Sequence, residues 1–201
     1  GPGQALGLGR SMDTPGGLRF DALSDDVETV VRTYGPFTHG VVLFGCIDPM
    51  LCAANPETTR RVNVDAARRV LAGLARTGVF PVYLSTDYVF DGRSGGYDEE
   101  APVSPVTEYG RQKAEVERWI MDELDDWLVV RTAKAYSDEP GDGALLANMV
   151  EAVRRGEPQA CASDQRFSPT FAGDLVQGLM RLAESGERGL WHLCGPEGLR
   201  R

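Results

Sequence analysis

Apolar runs of strand length alternate along this chain with longer segments of helical periodicity. The runs at 40–44 (GVVLF), 79–85 (VFPVYLS) and 127–131 (WLVVR) are continuous, as expected for strands covered on both faces. Pro56–Arg76 repeats an apolar residue every four positions, as an amphipathic helix does, and Tyr109–Asp126 is the next long helix. Each helix must return the chain over the sheet. This order therefore predicts an α/β fold with a doubly wound, Rossmann-like parallel sheet.

Shorter patterns complete the predicted order and show no linker between them. With 201 residues, the chain is long enough for one sizeable core, so we expect a single domain over residues 1–201. Ser24 is a candidate N-cap for the first helix. Further strands are predicted at Gln4–Gly9, Leu18–Asp21 and Gly189–Cys194, and further helices at Asp25–Tyr34, Leu145–Arg155 and Asp174–Glu184.

Charge and cysteine usage exclude several classes of function. The formal net charge is -9 and no Lys/Arg-rich block is present, which argues against nucleic acid as a partner. No secretory signal or long apolar run is visible, so we expect a cytoplasmic protein without membrane contact. The four cysteines lack CxxC spacing, and we interpret them as reduced, mostly buried thiols. A metal site or a catalytic thiol is the less supported alternative.

The segment 83–117 (YLSTDYVFDGRSGGYDEEAPVSPVTEYGRQKAEVE) holds the candidate catalytic residues. A strand ends at Thr86, and ligands of open α/β sheets bind just outside such carboxyl ends. Tyr109 and Lys113 are four residues apart, which places them on one helical face. A cation beside a phenol lowers the phenol pKa, and this would make Tyr109 a usable acid. A Tyr–Lys pair at this spacing also occurs on exposed helix faces, so the pair alone does not establish a site.

The combination STDYVFDG, an acidic Pro-rich loop and YGxxKxxxE resembles the dehydrorhamnose reductase branch of the extended short-chain dehydrogenase/reductases. Further matching stretches follow in the family's order and extend the resemblance from about residue 6 to residue 197. They are 18–22 (LRFDA), 52–64 (CAANPETTRRVNV), Arg131-Thr132 and 163–175 (SDQRFSPTFAGDL).

The resemblance implies roles for named residues. Thr86, Tyr109 and Lys113 would form the catalytic triad of a reductase acting on a nucleotide-linked 4-keto-6-deoxy sugar. Tyr109 would protonate the C4 oxygen, Thr86 would hydrogen-bond the same oxygen, and Lys113 would hold the cofactor ribose and lower the pKa of Tyr109. Tyr88, Lys134 and Arg166 would contact the substrate, although Tyr88 can equally be a packed loop aromatic. Lys134 stands where the family often carries an aromatic residue, so the substrate can differ from the usual sugar.

The cofactor implied is NADP(H), in preference to NAD(H). Arg10 and Ser11 would choose between the two, because an Arg there favours the 2′-phosphate. Asp21 and Ala22 would meet the adenine, Gly45 would face the cofactor and Lys113 would hold its ribose. The family's first strand and glycine-rich turn are not recognisable in GPGQALGLG, and the chain ends where the family continues into substrate-lobe helices. We therefore expect a fold lacking part of the N-terminal βα unit and of the C-terminal lobe.

Two alternative functions remain open. A sugar-nucleotide epimerase or dehydratase would retain its NAD, against which Arg10 argues. A non-catalytic relative, like the regulatory subunit of methionine adenosyltransferase, would work by binding a partner enzyme. The retained Thr86, Tyr109 and Lys113 favour catalysis, whereas the absent glycine turn favours the binding role. For the leading reductase interpretation the partner is a nucleotide-linked sugar, no metal is required, and a homodimer is allowed but not required.

Overall fold

A four-stranded parallel sheet organises the chain. The computed structural model describes residues 5–11, 16–137, 145–158 and 166–200. The strand order is β3 (His39–Val42), β4 (Phe80–Thr86), β5 (Leu128–Thr132) and β9 (Gly189–His192), and each neighbouring pair is parallel. The predicted α/β class with a parallel sheet is confirmed.

Helices cover both faces of this sheet. On one face Tyr83 and Val129 pack with Leu71 and Ile120, and on the other face Val82 and Val130 pack with Leu179. Burying such side chains stabilises the fold by about 1.5–3 kcal/mol each. The helices are α1 (Val27–Tyr34), α2 (Pro49–Ala54), α3 (Pro56–Arg60), a π-helical segment (Arg61–Ala66), α4 (Ala67–Arg76), α5 (Glu108–Glu123), α6 (Leu145–Arg154) and α7 (Ala172–Glu184).

Three short strand pairs lie outside the main sheet. They are β1 (Leu8–Gly9) with β2 (Leu18–Arg19), β6 (Ala135–Tyr136) with β8 (Thr170–Phe171), and β7 (Arg166–Phe167) with β10 (Leu199–Arg200). The first two pairs are parallel and the third is antiparallel. Phe20, which follows β2, shares the hydrophobic core with Val27 and Val42. The segment containing β1 and β2 is therefore packed onto the same core as the main sheet.

Several predicted boundaries were wrong. The first helix is capped by Asp26, whose side chain accepts a hydrogen bond from the Glu28 backbone N–H, and not by Ser24. Ser24 instead belongs to a turn in which its N–H donates to the Asp21 carbonyl. The short helix α2 was not predicted. Asp48 caps it and Pro49 occupies its first turn, which is a recognisable helix start.

The structure also bears on membrane-spanning helices, metal sites and the burial of the cysteines. None of the helices in the described ranges is long and apolar enough to cross a membrane. Within the same ranges, no three His, Cys, Asp or Glu side chains are grouped as a metal site would require. Of the three cysteines in the described ranges, Cys52 is buried, Cys46 is half-buried and Cys194 is exposed, so the prediction of mostly buried thiols was wrong. Cys161 lies outside the described residues.

Candidate active site

The carboxyl end of β4 forms the first part of the site. Thr86 is the last residue of this strand and is 6% exposed. A short 3₁₀ helix, Asp87–Val89, follows at once. The Thr86 Oγ1 accepts a hydrogen bond from the Tyr88 N–H at 3.3 Å and lies 3.2 Å from Asp87 Oδ1, to which it can donate. The strand end thus fixes one hydroxyl at the edge where ligands of parallel sheets bind.

The first turn of α5 forms the second part. Thr107 caps this helix, since its Oγ1 accepts a hydrogen bond from the Gly110 N–H at 3.0 Å. Tyr109 therefore lies in the first turn, where the helix dipole favours developing negative charge. The Tyr109 ring meets Tyr88 edge to face with 5.7 Å between centroids. A hydrogen bond with Thr86 lowers the pKa of Tyr109, against the larger effect of burial. Thr86, Tyr88 and Tyr109 are thus brought together.

Gly110 allows this close approach. A Cβ built at Gly110 would lie 2.1 Å from the Tyr88 carbonyl oxygen and 3.1 Å from the Cβ of Pro105. The carbonyl is backbone and cannot turn aside, so any larger residue must push α5 away from the strand end.

We expect Gly110→Ala to lower the free energy of unfolding by about 1–3 kcal/mol, the usual cost of overpacking. Denaturant unfolding measures this effect. Gly198→Ala is the matched control, because a Cβ there meets nothing within 4 Å. Equal stability of the two variants would contradict the role given to Gly110.

Burial raises the pKa of Tyr109 to about 12, with smaller contributions from Asp87, Cys52 and Tyr88 in the same direction. This is opposite to the prediction that Lys113 lowers the pKa of Tyr109. The physical reason is that the ring is 8% exposed and that the Lys113 ammonium is bound elsewhere. A phenol with this pKa keeps its proton at neutral pH, which is the state required of a proton donor.

Lys113 lies one helical turn after Tyr109 and is 7% exposed. Its Nζ donates a hydrogen bond to the Leu84 carbonyl oxygen at 2.7 Å and lies 4.2 Å from the centroid of the Tyr83 ring. Burial lowers the pKa of Lys113 to about 7, and the nearby Glu117 carboxylate acts in the opposite direction. The Lys113 side chain therefore exchanges between its ammonium and amine forms near neutral pH, as functional lysines often do.

An unpredicted pair of buried amides connects α5 to the end of β3. The Asn63 side chain is 2% exposed and accepts a hydrogen bond from the Cys46 N–H at 2.7 Å. Its Nδ2 donates to the Gln112 Oε1 at 2.8 Å. A Cβ added at Gly45 would come 3.0 Å from the same amide. The polar residue inside the apolar face of 62–66 was the available signal in the sequence.

A second unpredicted group lies behind Lys113. Glu117 and Arg131 side chains are each 3% exposed and form a bidentate ion pair, with 2.7 Å between Arg131 Nη2 and Glu117 Oε2. The Ser85 hydroxyl donates to Glu117 Oε1. Arg131 also lies 5.0 Å from the Phe90 ring centroid and 3.4 Å from His192 Nε2. These contacts tie α5 to β4 and β5 directly beneath the candidate site.

The other predicted residues lie in three places. Arg10 and Ser11 are exposed directly after β1. Asp21 accepts from the Leu23 N–H at 2.9 Å, and the Ala22 carbonyl accepts from Arg69, so both belong to the turn after β2. Lys134 and Arg166 are both exposed. Burial raises the pKa of Asp87, and the Lys134 cation acts in the opposite direction. Arg166 belongs to β7, which pairs with β10. The predicted match at 163–165 lies outside the described residues.

Residues 48–200 match the family model described as the RmlD substrate binding domain. This range covers most of the chain, and the chain belongs to that family. The range contains the end of β4, the first turn of α5 and the buried Glu117–Arg131 pair.

Two relatives with different names match the chain at similar identity. The dTDP-4-dehydrorhamnose reductase of Mycobacterium tuberculosis is 31% identical over 159 residues, covering 75% of this chain and 52% of the relative. Methionine adenosyltransferase 2 subunit beta of Danio rerio is 30% identical over 208 residues, covering 96% and 61%. The chain thus spans roughly half to three fifths of these relatives' length.

A solved structure shows the same fold. The dTDP-4-dehydrorhamnose reductase of Bacillus anthracis in complex with NADP superposes with a TM-score of 0.80 at 24% identity, over 87% of this chain and 61% of that one.

Proposed function

We propose that this chain is the reductase part of an NAD(P)H-dependent enzyme acting on a nucleotide-linked 4-keto-6-deoxy sugar. The observation that carries the proposal is the meeting of Thr86 and Tyr109 at the carboxyl end of β4, with Lys113 one turn further along α5. A nicotinamide cofactor would supply the hydride. Tyr109 donates a proton to the C4 oxygen, because the incipient alkoxide is a much stronger base than a phenolate. Thr86 holds that oxygen by a hydrogen bond.

The residues that would hold the cofactor fit a dinucleotide. Leu8 pairs with Leu18 and Gly9 with Arg19 in a parallel register, so the residues after β1 and after β2 emerge at the same end. These residues are Arg10 and Ser11 after β1, and Asp21 and Ala22 after β2. Dinucleotides bind at this end of parallel strands. We infer that the four residues hold the adenosine half, that Gly45 leaves room beside it, and that residues 1–201 act as one NAD(P)-binding domain.

We expect the full-length protein to bind NADPH about tenfold more tightly than NADH, since an exposed guanidinium after β1 can pair with the 2′-phosphate. Arg10→Ala should remove this preference and leave the NADH affinity unchanged. Titration of cofactor fluorescence measures all four affinities. Equal affinity of the wild-type protein for the two cofactors would remove Arg10 from the cofactor site.

The proposed reaction is tested by following NADPH oxidation with a thymidine-diphosphate 4-keto-6-deoxy sugar. Turnover that depends on the sugar supports the reductase. A folded protein that binds NADPH but turns over none of a panel of keto sugars would contradict it.

A regulatory binding role is the second candidate, because the methionine adenosyltransferase subunit of Danio rerio matches 96% of this chain, more than the reductase of Mycobacterium tuberculosis does. In this role the chain would bind a partner enzyme through its surface. An epimerase or dehydratase with retained NAD is the third candidate. Such an enzyme would convert its sugar without net consumption of added cofactor. It would therefore show no NADPH oxidation in the assay described above.

A further inference from the structure

Glu117 is a buried acid without a role in the reaction described above. It lies one helical turn after Lys113 and two turns after Tyr109, so the three side chains follow one stripe of α5. Its side chain is 3% exposed, and burying a carboxylate at this depth is costly unless it is paired. Glutamates are almost never fully buried unless they are paired, and Glu117 has such a partner in Arg131. The ion pair accounts for the burial of this carboxylate but not for its place on the same helical stripe as Lys113 and Tyr109.

The carboxylate is held rigidly by groups from two strands. Arg131 on β5 binds both oxygens, at 3.1 Å from Nε to Oε1 and 2.7 Å from Nη2 to Oε2. Ser85 on β4 donates its hydroxyl to Oε1. Leu84, the residue before Ser85, accepts the hydrogen bond of Lys113 at 2.7 Å. The same two-residue stretch of β4 thus holds both the ammonium and the carboxylate.

We propose that Glu117 is a positioning residue of the site, whose fixed carboxylate, one helical turn from Lys113, keeps that buried ammonium charged. The inference rests on the proposed function, in which a charged Lys113 holds the ribose. Among the charges that act on Lys113, the Glu117 carboxylate is the one that favours the ammonium form. Without it, burial alone would act on this lysine, and an opposite charge at close range shifts a pKa by about 1–3 units.

The neighbouring titratable groups do not replace this carboxylate. Around Lys113 the described residues place Tyr109 on its own helix, Tyr83 on β4 and Arg131 on β5. Burial raises the pKa of both tyrosines, so they stay neutral, and Arg131 is a cation. Behind Arg131, His192 on β9 has a pKa lowered by burial, and Glu99 is engaged by the His192 backbone N–H at 2.8 Å.

The composition of the chain makes a direct test feasible. Lys113 and Lys134 are the two lysines of the sequence, which otherwise uses nineteen arginines as its cations. The 201-residue chain labelled with [ε-¹³C]lysine therefore gives two signals, and Lys134→Arg assigns them. In the wild-type protein the Lys113 signal should titrate near neutral pH.

Glu117→Gln should lower the titration midpoint of Lys113 by about one pH unit or more. Glu115→Gln removes a charge from the same helix at the surface, where Glu115 pairs with Arg60 and Arg68, and should leave the midpoint unchanged. Glu117→Asp keeps the charge and should restore most of the shift. In the keto-sugar assay, the loss of kcat on the alkaline side should move to lower pH in Glu117→Gln by the same amount.

The outcomes separate this inference from the proposed function. If Glu117→Gln lowers the titration midpoint of Lys113 but the wild-type protein turns over no keto sugar, the role of Glu117 is supported and the reductase function is contradicted. Turnover with an unchanged midpoint and pH profile in Glu117→Gln would overturn the role of Glu117 and leave the reductase standing. If Glu117→Gln does not fold, the titration of the wild-type protein still tests the proposal. A Lys113 that is already neutral at pH 6 would overturn it, because Glu117 would then not keep the ammonium charged.

Discussion

Replacing Tyr109 by Phe should lower kcat by about 10²- to 10⁴-fold, the usual contribution of a positioned proton donor. The substitution keeps the ring and its edge-to-face contact with Tyr88, and removes only the hydroxyl that meets Thr86. Cofactor affinity should hardly change, because the phenol acts on the sugar oxygen. Steady-state assays of NADPH oxidation with the keto sugar measure kcat, and cofactor titration measures the affinity.

Tyr34→Phe is the matched control for this variant. Tyr34→Phe makes the same chemical change at the end of α1, where the residue is 52% exposed, so the kcat of this variant should equal that of the wild type. Thermal melts of both variants exclude unfolding as the cause of a loss. A Tyr109→Phe variant that turns over at the wild-type rate would rule out the proposed mechanism.

The main elements of the fold could be predicted because their periodicities differ. Continuous apolar runs became β4 and β5, and the four-residue repeat of 56–76 became one continuous helical stretch. The π-helical turn at Arg61–Ala66 within that stretch was not predictable, since its apolar spacing is close to that of an ordinary helix. The N-cap was misplaced because Ser24 and Asp26 are both good capping residues. Their tertiary contacts, which the sequence does not show, choose between them.

The candidate site was predicted only in part, for a related reason. Spacing places Tyr109 and Lys113 on one helical face, but it does not say what that face packs against. In the structure the face packs on β4, so Lys113 is bound to the Leu84 carbonyl and not to the phenol. Glu117 and Arg131 were not predicted as a buried pair, because charged residues are mostly exposed. The available signals were the four-residue step from Lys113 and the position of Arg131 at the end of WLVVR.

Lys113→Met should have two opposite effects, a loss of activity and a gain in stability. Lys113 is 7% exposed, and its burial lowers the pKa of the side chain to about 7. Below that pH the folded protein carries the full cost of a buried charge. A Met side chain of similar length has no charge and avoids this cost. Glu117 keeps its ion pair with Arg131 in the variant. We therefore expect a stability gain on the order of 1–4 kcal/mol at pH 6, together with weaker cofactor binding and a lower kcat.

The pH dependence of this gain has a definite sign. Above about pH 7 the folded lysine is neutral, whereas the lysine of the unfolded chain stays charged up to its ordinary pKa of 10.5. The unfolded state then binds more protons, so the stability of the wild-type protein rises with pH in this window relative to the variant. The advantage of Lys113→Met should therefore be largest at pH 6 and much smaller at pH 9. Denaturant unfolding at both values measures it, with the exposed Lys134→Met as the stability control. A Lys113→Met protein less stable than the wild type at pH 6 would show that this lysine stabilises the fold and would contradict the cost ascribed to its buried charge.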